Sequence, residues 1–438
     1  MPPTPTLDRS LRSSGIELRP EIPLCQTDLP LDWYQQEFRP YAEEYLALPD
    51  RTPESVLPWM DAYVLPALDA LGDSVMLLAH YYMGGEIVKL VERYGGRVAD
   101  SYQLALQATA HPEKKIFVES AVHFMAEAIA LLASPDQQVW ITNPKSGCTM
   151  EMMAKEFMLS PAFERLHGRY GDDLLVVAYM NTSGRVKALA GRTGGAVCTS
   201  SNAGRIMRWA LDQGRKIFFV PDQHLGRNVA AQVGMDPGRV ALLGGGHAGA
   251  ELEPAELSAL DSADLFLWGS FCGVHTVFEP RHVDYWRGRG YRIVVHPETP
   301  REVVEMADGA GSTSYLWDHV MDAPAGSRFA VATEGHFVAN LREQSALRGV
   351  EVVHLADVPD GDDAGCGCAT MSRNDPPHLV ATLDLLRRGE APDLNRVLPG
   401  DAVDEVTGWR ERLDPEGRER VRQEARLALE RMIEITES

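Results

Sequence analysis

Three cysteines of this 438-residue chain follow apolar runs at positions where metal chemistry could occur. Cys148 comes after QVWITN, Cys272 after ADLFLWGS, and Cys368 after VEVVHLAD, within the segment DAGCGCATM. Each run is typical of a buried strand, and the helix expected next would lower the thiol pKa through its N-terminus. The three cysteines are therefore candidate metal ligands. Their spacing matches no zinc-finger or ferredoxin pattern, so a buried core thiol remains the alternative for each.

The other three cysteines carry weaker indications. Cys198 lies within the strand-like run GAVCTSS and Cys25 lies in a Pro-rich N-terminal arm, so both are expected to be inert apolar side chains. Cys366 lies two residues before Cys368, between two glycines. Cys368 lies nearer the following predicted helix, so we expect Cys366 to be a spare thiol. A bridge between the two across one residue would be strained, so we expect it to be minor and easily reduced.

Polar side chains recur where three further apolar runs end. They form pairs, two residues apart, at the end of a predicted strand: His80 with Tyr82, Tyr179 with Asn181, and His296 with Glu298. Residues two apart on an extended chain point from the same face. His296 and Glu298 are therefore suited to act as an acid–base pair.

A segment rich in hydroxyl groups follows each pair and is predicted to open a helix. The three segments contain Ser101, Ser200 and Thr313, at similar intervals after the pairs, which indicates an internal triplication. Backbone N–H groups and the dipole at a helix start favour anions. We expect these hydroxyls to bind carboxylate or phosphate, with helix capping as the alternative.

The elements that position these residues alternate regularly along the chain. From about residue 70, apolar runs such as SVMLLAHYY, DLLVVAYMN and KIFFVPD alternate with amphipathic stretches such as AGRIMRWALDQG. Continuous apolar runs of this kind are typical of parallel strands covered by helices on both faces. The predicted fold class is α/β, in which ligands bind at the C-terminal ends of the strands.

Charge and hydropathy exclude several classes of partner. The chain has 42 Lys and Arg against 63 Asp and Glu, a formal net charge of −21, and such a surface repels nucleic acid and anionic lipid. The N-terminus lacks a signal-peptide pattern, and no uncharged apolar run reaches the length of a membrane span. We therefore expect a cytoplasmic protein with no nucleic-acid or membrane partner.

From about residue 70 to the C-terminus the chain resembles quinolinate synthases, because a dozen motifs occur in that family's order. The motifs are Ala79-His-Tyr-Tyr82, Ala99-Asp-Ser101, Phe124-Met-Ala-Glu127, Gly147-Cys148, Tyr179-x-Asn-Thr-Ser183 with Lys187-Ala188, Thr199-Ser-Ser-Asn202, Pro221-Asp222 with Leu225-Gly226, Cys272-x-Val-His275, His296-Pro-Glu298, Gly311-Ser-Thr313, Thr333-Glu334 and Cys368-x-x-Met371.

The resemblance implies three similar α/β/α domains with parallel sheets around a pseudo-threefold axis, with the active site at their junction. The domains would comprise residues 71–147, 148–271 and 272–368. Residues 1–70 would form an N-terminal extension. Residues 369–438 would form a C-terminal helical segment that completes the first domain.

The resemblance also implies a 4Fe–4S cluster held by Cys148, Cys272 and Cys368, with one iron open to substrate. The reaction would condense iminoaspartate with dihydroxyacetone phosphate to quinolinate, with loss of phosphate and water, in de novo NAD biosynthesis. An enzyme that oxidises L-aspartate is the expected supplier of iminoaspartate.

Under this resemblance the polar residues divide into two groups. The residues expected to bind or orient substrate are His80, Ser101, Asn181, Ser200 and Thr313. The residues expected to act in catalysis are Tyr82, Tyr179, His296 and Glu298.

Two other functions fit the same residues. One is a hydro-lyase that uses an open-iron cluster on another small dicarboxylic or phosphorylated substrate. The other, of a different class, is a ligand-binding protein whose cysteines hold zinc or no metal.

Overall fold

The part of the chain covered by the computed structural model is residues 29–244, 260–359, 367–404 and 409–438, together with residues 258 and 407. Cys25, Cys366 and residues 1–28 of the predicted N-terminal extension lie outside the described residues.

The first sheet has five strands in the order β14-β4-β3-β1-β2. Its strands are β1 (Val75–His80), β2 (Arg97–Ala99), β3 (Ile116–Ser120), β4 (Gln138–Ile141) and β14 (Arg396–Val397). All pair in parallel except β14, which runs antiparallel to β4. The helices along this part of the chain are α3 (Gly85–Arg93), α4 (Ser101–Ala105), α5 (Gln107–Ala110) and α6 (His123–Leu132).

The second sheet also has five strands, in the order β6-β5-β7-β9-β8, and all of them are parallel. Its strands are β5 (Leu174–Tyr179), β6 (Ala196–Cys198), β7 (Lys216–Val220), β8 (Val240–Leu243) and β9 (Leu265–Trp268). The helices along this part are α7 (Thr149–Met152), α8 (Glu156–Tyr170), α9 (Gly184–Arg192), α10 (Ala203–Asp212) and α11 (Gln223–Gln232).

The third sheet has four parallel strands in the order β11-β10-β12-β13. Its strands are β10 (Arg292–Val295), β11 (Gly309–Ala310), β12 (Arg328–Ala332) and β13 (Glu351–His354). The helices along this part are α12 (Pro280–Arg287), α13 (Arg301–Met306), α14 (Thr313–Met321) and α15 (Gly335–Ala346).

The remaining elements lie at the two ends of the described chain. They are α1 (Arg39–Leu46), α2 (Pro53–Leu71), α16 (Pro376–Arg388), α17 (Pro415–Glu437) and a short antiparallel pair, β15 (Ala402–Val403) with β16 (Arg410–Glu411). Helix α16 packs against α1 and α2, while α17 packs along α9 and reaches α6 and α10.

The three large sheets share one strand order. In each, the second strand along the chain lies at one edge, the first lies next to it, and the third follows. The interior strands β1 and β5 are buried along their whole length, as their continuous apolar sequences require. The α/β prediction is confirmed, and the C-terminal ends of the parallel strands in each sheet lie at one edge.

Within the described segments, none of the helices combines the length and apolar character needed to cross a bilayer.

Candidate functional site

A cavity of about 420 Å³ is lined by residues that follow strands of all three sheets. Every residue predicted from the sequence as a site residue contributes to its wall: His80, Tyr82, Ser101, Cys148, Tyr179, Asn181, Ser200, Cys272, His296, Glu298, Thr313 and Cys368. The tertiary structure therefore brings together groups that are widely separated along the chain.

The three thiols are half-buried in the cavity wall and follow β4, β9 and β13 along the chain. Cys148 is the N-cap residue of α7, as predicted. The expectation of a helix directly after the other two cysteines was wrong. A turn over residues 273–277 follows Cys272, and a turn with a short 3₁₀ segment follows Cys368.

Two prolines explain why no α-helix in the described structure directly follows Cys272 or Cys368. The next α-helices begin at Pro280 and Pro376, each at the first helical position, where the missing N–H of proline costs nothing. Both helices therefore start several residues beyond the thiols, and the helix dipole argument applies to Cys148 alone.

Burial raises the pKa of all three thiols, which is the opposite of the expected direction. For Cys272, the charges of Glu298 and of the other two thiols raise the pKa further. Hydrogen bonds from backbone N–H groups oppose burial at Cys148 but are outweighed. The desolvation of a buried thiolate exceeds the benefit of a helix start, and a coordinated cation reverses that balance because it deprotonates the thiol outright.

The spacing of the thiols bears on the kind of metal group they fit. Among the described residues, the three sulfurs do not all lie within 4.8 Å of one another. Thiolates bound to one tetrahedral zinc ion at ~2.3 Å lie closer together than this. All three thiols nevertheless line the same cavity, so they face a common space. Three cysteines arranged in this way fit a larger group such as an iron–sulfur cluster, whose ligands are cysteine thiolates.

A different set of residues is close enough for a single ion. The ligand atoms of Cys272, His275 and Glu298 all lie within 4.8 Å of one another. Nδ1 of His275 lies 2.8 Å from a Glu298 carboxylate oxygen, and Nε2 lies 3.1 Å from Oγ1 of Thr333. The structure therefore contains a possible metal site in addition to the three thiols, with which it shares Cys272.

Glu298 is the centre of a buried charge network. Its carboxylate accepts a hydrogen bond from the Tyr179 hydroxyl at 2.5 Å, and His275 lies on its other side. Burial acts to raise the pKa of Glu298, but the nearby ring of His275 and the hydrogen bonds from His275 and Tyr179 outweigh it and lower the pKa below its ordinary value. The group is therefore an ionised carboxylate at neutral pH.

Two histidines in the wall are neutral at neutral pH. Burial lowers the pKa of His80 and of His296 to about 3, although Glu298 acts in the other direction on both. Nδ1 of His80 accepts the N–H of Tyr82 at 3.1 Å, so the proton of this ring is on Nε2. Such a ring can donate a hydrogen bond without bringing a charge.

Tyr82 and Tyr179 in the cavity wall keep their hydroxyl protons at neutral pH. Burial raises the pKa of Tyr82 and Tyr179 far above the ordinary value, and the charge of Glu298 adds to this for both. The Tyr82 hydroxyl lies 2.8 Å from Oγ1 of Thr333 and receives a hydrogen bond from Thr313 at 3.1 Å. Both phenols therefore keep their protons and act as hydrogen-bond donors within an organised network.

The hydroxyl groups lie beside the capping residues rather than acting as caps. Asp100 caps α4 and Ser312 caps α14, so Ser101 and Thr313 are the first helical residues. Ser200 lies before α10, in a turn that ends at Asn202. In the part of the chain that is described, the side chains of Ser101, Asn181 and Ser200 make no hydrogen bond to another residue. Their polar groups are therefore not occupied by capping.

Sequence reasoning missed three residues that the geometry brings into the site. His275 contacts Glu298, and Glu334 lines the cavity, whereas Asp222 contacts the backbone of Cys272 from behind. All three occur within motifs of the family resemblance but were assigned no role. A charged or ring side chain directly after a strand, as at Asp222 and Glu334, is the signal that could have indicated them.

The comparison with known proteins agrees with this architecture. The family model described as "NadA: Quinolinate synthetase A protein" matches residues 68–434. The chain is 37% identical to a quinolinate synthase of Acidobacterium capsulatum over 402 residues, which cover 90% of this chain and 95% of that protein. It is 37% identical to one of Streptomyces coelicolor (84% and 91% covered) and 36% identical to one of Corynebacterium glutamicum (77% and 82% covered).

These matches extend over most of the chain and of each relative, and they span the described cavity, its thiols and its charge network. The chain therefore belongs to the quinolinate synthase family of enzymes.

Proposed function

We propose that this chain condenses iminoaspartate with dihydroxyacetone phosphate to give quinolinate, phosphate and two molecules of water, as a step of NAD biosynthesis. The observation that carries the proposal is the composition of the cavity. It combines three thiols from separate loops, an ionised buried carboxylate and several unoccupied polar groups. These groups match a reaction that joins a dicarboxylate to a phosphorylated ketone.

We further infer that the chain consists of three similar α/β/α domains around a pseudo-threefold axis, with residues 71–147, 148–271 and 272–368 as their main parts. The shared strand order of the three sheets supports this division. Strand β14 pairs with the first sheet, which supports the assignment of residues 369–438 to the first domain.

Cys148, Cys272 and Cys368 are the residues that would hold a 4Fe–4S cluster, because they contribute one thiol each to a common space. When bound, such a cluster supplies a Lewis-acidic iron that assists the loss of a hydroxyl group as water. The remaining roles belong to side chains of the protein.

Glu298 and Tyr179 together can move a proton. The carboxylate is ionised and can accept a proton from a carbon atom next to a carbonyl or imine group. Tyr179 already donates to the same carboxylate at 2.5 Å and can pass a proton to the substrate. His296 stacks on His275, with ring centroids 4.6 Å apart, and His275 contacts the carboxylate directly at 2.8 Å.

The anionic groups of the substrates have several candidate partners. His80 offers a neutral N–H donor, and Ser101, Ser200 and Asn181 offer unoccupied polar groups. Thr313 and Tyr82 are hydrogen-bonded to each other and can reorient toward a ligand as a unit. A carboxylate or phosphate bound here would replace water with several fixed donors, which favours orientation of the two substrates for condensation.

The proposal is tested by an anaerobic assay with both substrates. After reconstitution with iron and sulfide, quinolinate should form only when iminoaspartate and dihydroxyacetone phosphate are both supplied. Glu298→Gln should retain iron and lower kcat by about 10² or more, as loss of a general acid–base group does. Turnover of a single substrate without condensation would identify a hydro-lyase instead.

A zinc-binding protein is the second candidate, because Cys272, His275 and Glu298 are close enough for one ion. The hydrogen bond between His275 and Thr333 resembles the outer contacts that orient histidine ligands of zinc. Metal analysis separates the two candidates. Zinc bound to this group should persist in Cys148→Ser, whereas an iron–sulfur cluster should be lost.

A further inference from the structure

Two buried carboxylates occupy equivalent places in the second and third sheets. Asp222 lies two residues beyond the end of β7, and Glu334 lies two residues beyond the end of β12. Strands β7 and β12 are each the third strand of their sheet in chain order. The carboxylates of Asp222 and Glu334 are both fully buried. A buried carboxylate is costly unless its oxygens are satisfied, so the partners of these oxygens indicate what each group does.

Each carboxylate divides its two oxygens between a helix and a cysteine. One oxygen of Asp222 accepts the N–H of Leu225 at 2.6 Å and so caps α11, while the other accepts the N–H of Cys272 at 3.2 Å. Glu334 repeats this pattern.

In the third sheet one oxygen of Glu334 accepts the N–H of Phe337 at 2.9 Å and so caps α15. The other oxygen accepts the N–H of Cys368 at 2.8 Å and also lies 2.7 Å from Nδ1 of His336. The cysteine in each case lies in a loop after the strand that pairs with the carboxylate's own strand, β9 beside β7 and β13 beside β12, 50 residues beyond Asp222 and 34 beyond Glu334. The same contact in two sheets argues against a chance contact.

The first sheet lacks this arrangement. Its third strand, β3, ends at Ser120, and the residue two positions later is Val122, which has no polar side-chain atom. The loop that carries Cys148 is instead tied to the loop that carries Cys368. Oγ of Ser146 donates to the carbonyl of Thr370 at 2.9 Å, and Nδ2 of Asn374 donates to the same Oγ at 2.7 Å.

Two further bonds join these loops. Nδ2 of Asn143 donates to the carbonyl of Arg373 at 2.7 Å, and Oγ1 of Thr142 donates to Oδ1 of Asn374 at 2.7 Å. The position of Cys148 is thus connected to that of Cys368, and through Cys368 to Glu334.

We propose that Asp222 and Glu334 are positioning residues that fix the backbone of Cys272 and of Cys368, and that Glu334 also positions Cys148 through the joined loops. The inference rests on the proposed function, in which these three thiols hold one metal group. A group with three protein ligands requires each thiol to be held in place, because displacement of one weakens the binding of all.

Neutral amide variants test this without a change in side-chain size. In Asp222→Asn and Glu334→Gln, one oxygen becomes an NH₂ group, which cannot accept either N–H. Alkylation of the metal-free protein, resolved for each cysteine by mass spectrometry, reports how firmly each thiol is held. The alkylation rate is measured across a pH range. The pH at which the rate rises reports the thiol pKa, and the plateau at high pH reports the limiting rate of the fully ionised thiolate, so the two effects are separated.

Glu334→Gln should raise the limiting alkylation rates of Cys368 and Cys148 by about tenfold, the factor that a lost hydrogen bond to a charged group produces. Asp222→Asn should raise the rate of Cys272 alone. Thermal unfolding and the rates of the unaffected thiols show whether each variant remains folded. Asp414→Asn is the control, because Asp414 caps α17 through Gly417 N–H at 2.7 Å and its carboxylate contacts no thiol among the described residues.

Reconstituted iron content gives the second measurement. Both carboxylate variants should bind less iron than the wild type, and Asp414→Asn should bind the same amount. Unchanged alkylation rates in both variants would overturn the inference even if the wild type binds iron. A wild type that binds no iron while the rates change as expected would instead refute the proposed metal group and leave the positioning role intact.

Discussion

At the scale of single residues, the four described cysteines have different surroundings, although all four occur in or after apolar runs of the sequence. Cys148, Cys272 and Cys368 face one cavity, whereas Cys198 is fully buried within β6. Cys148→Ser and Cys272→Ser should each lose the reconstituted cluster, because each removes a thiolate from a separate loop. Iron and sulfide analysis with the visible absorption spectrum measures this.

Cys198→Ser is the matched control for the cysteine variants and should retain the cluster. A full iron content in Cys148→Ser or Cys272→Ser would contradict the ligand assignment. We also predict that Cys368→Ser loses the cluster and Cys366→Ser keeps it, although Cys366 lies outside the described residues.

Ser200 and Ser312 separate ligand binding from helix capping. Ser200 makes no side-chain hydrogen bond to another described residue, whereas the Ser312 side chain accepts the N–H of Tyr315 as the cap of α14. Ser200→Ala should weaken the binding of a dicarboxylate or phosphate ligand with little effect on unfolding. Ser312→Ala should lower the free energy of unfolding by about 1 kcal/mol.

Calorimetric titration and urea unfolding of the two serine variants make the comparison. Loss of stability in Ser200→Ala with unchanged ligand affinity would mean that Ser200 has a structural role only.

Glu119 on β3 makes stability depend on pH. Its side chain is fully buried, its two oxygens make no hydrogen bond within the described structure, and burial raises its pKa from 4.5 to about 8. Between pH 4.5 and about 8, the Glu119 carboxyl therefore keeps its proton in the folded state, whereas in the unfolded state, where its pKa is 4.5, it releases that proton. The contribution of Glu119 to stability should fall as pH rises from about 4.5 to 8.

Urea unfolding at several pH values checks this prediction against Glu119→Gln, which cannot ionise. The difference in unfolding free energy between the variant and the wild type should grow with pH across this range. A difference that is the same at every pH would show that Glu119 does not titrate in this way.

At the scale of elements, the docking of α17 depends on a residue without a side chain. A Cβ atom on Gly191 of α9 would lie 1.8 Å from the carbonyl oxygen of Glu424 in α17. Gly191→Ala must therefore separate two packed helices, and overpacking of this kind costs ~1–3 kcal/mol. Gly168 in α8 is exposed and has open space around it, so Gly168→Ala should stabilise the protein by up to ~1 kcal/mol.

Thermal unfolding of these two variants gives opposite shifts if α17 packs against α9 as described. A Gly191→Ala variant as stable as the wild type would mean that this contact is looser.

At the scale of the whole molecule, Glu127 joins three separate parts of the chain. It belongs to α6, and its two oxygens accept the N–H of Gly184 at the start of α9 at 2.6 Å and that of Gly400 at 2.8 Å. Glu127→Gln replaces one acceptor with a donor, so one of these amides loses its partner. Hydrogen exchange at Gly184 or Gly400 should become faster, and the free energy of unfolding should fall.

Glu430→Gln is the control for this variant, since Glu430 pairs among the described residues with Arg426 at the surface, where such pairs contribute little. Unchanged exchange at both glycine amides in Glu127→Gln would show that this carboxylate does not hold the three parts together.

The order of elements and the candidate residues were determined by the sequence itself. The periodicity of apolar residues depends on local backbone geometry, so continuous runs predict buried parallel strands and identify β1, β5 and β7 correctly. Parallel strands of one sheet end at a common edge, so ligand-binding residues could be sought at the ends of the strands, where His80, Tyr179 and His296 lie. That the ends of three sheets line one cavity was implied only by the family resemblance.

Only the tertiary structure decided the contacts between distant loops. The spacing of the three sulfurs, the pairing of His275 with Glu298, and the bonds from Cys272 and Cys368 to Asp222 and Glu334 depend on how the sheets and loops pack. The raised thiol pKa has the same origin. The helix start at Cys148 is visible in the sequence, but the desolvation that outweighs it depends on which groups from other parts of the chain exclude water.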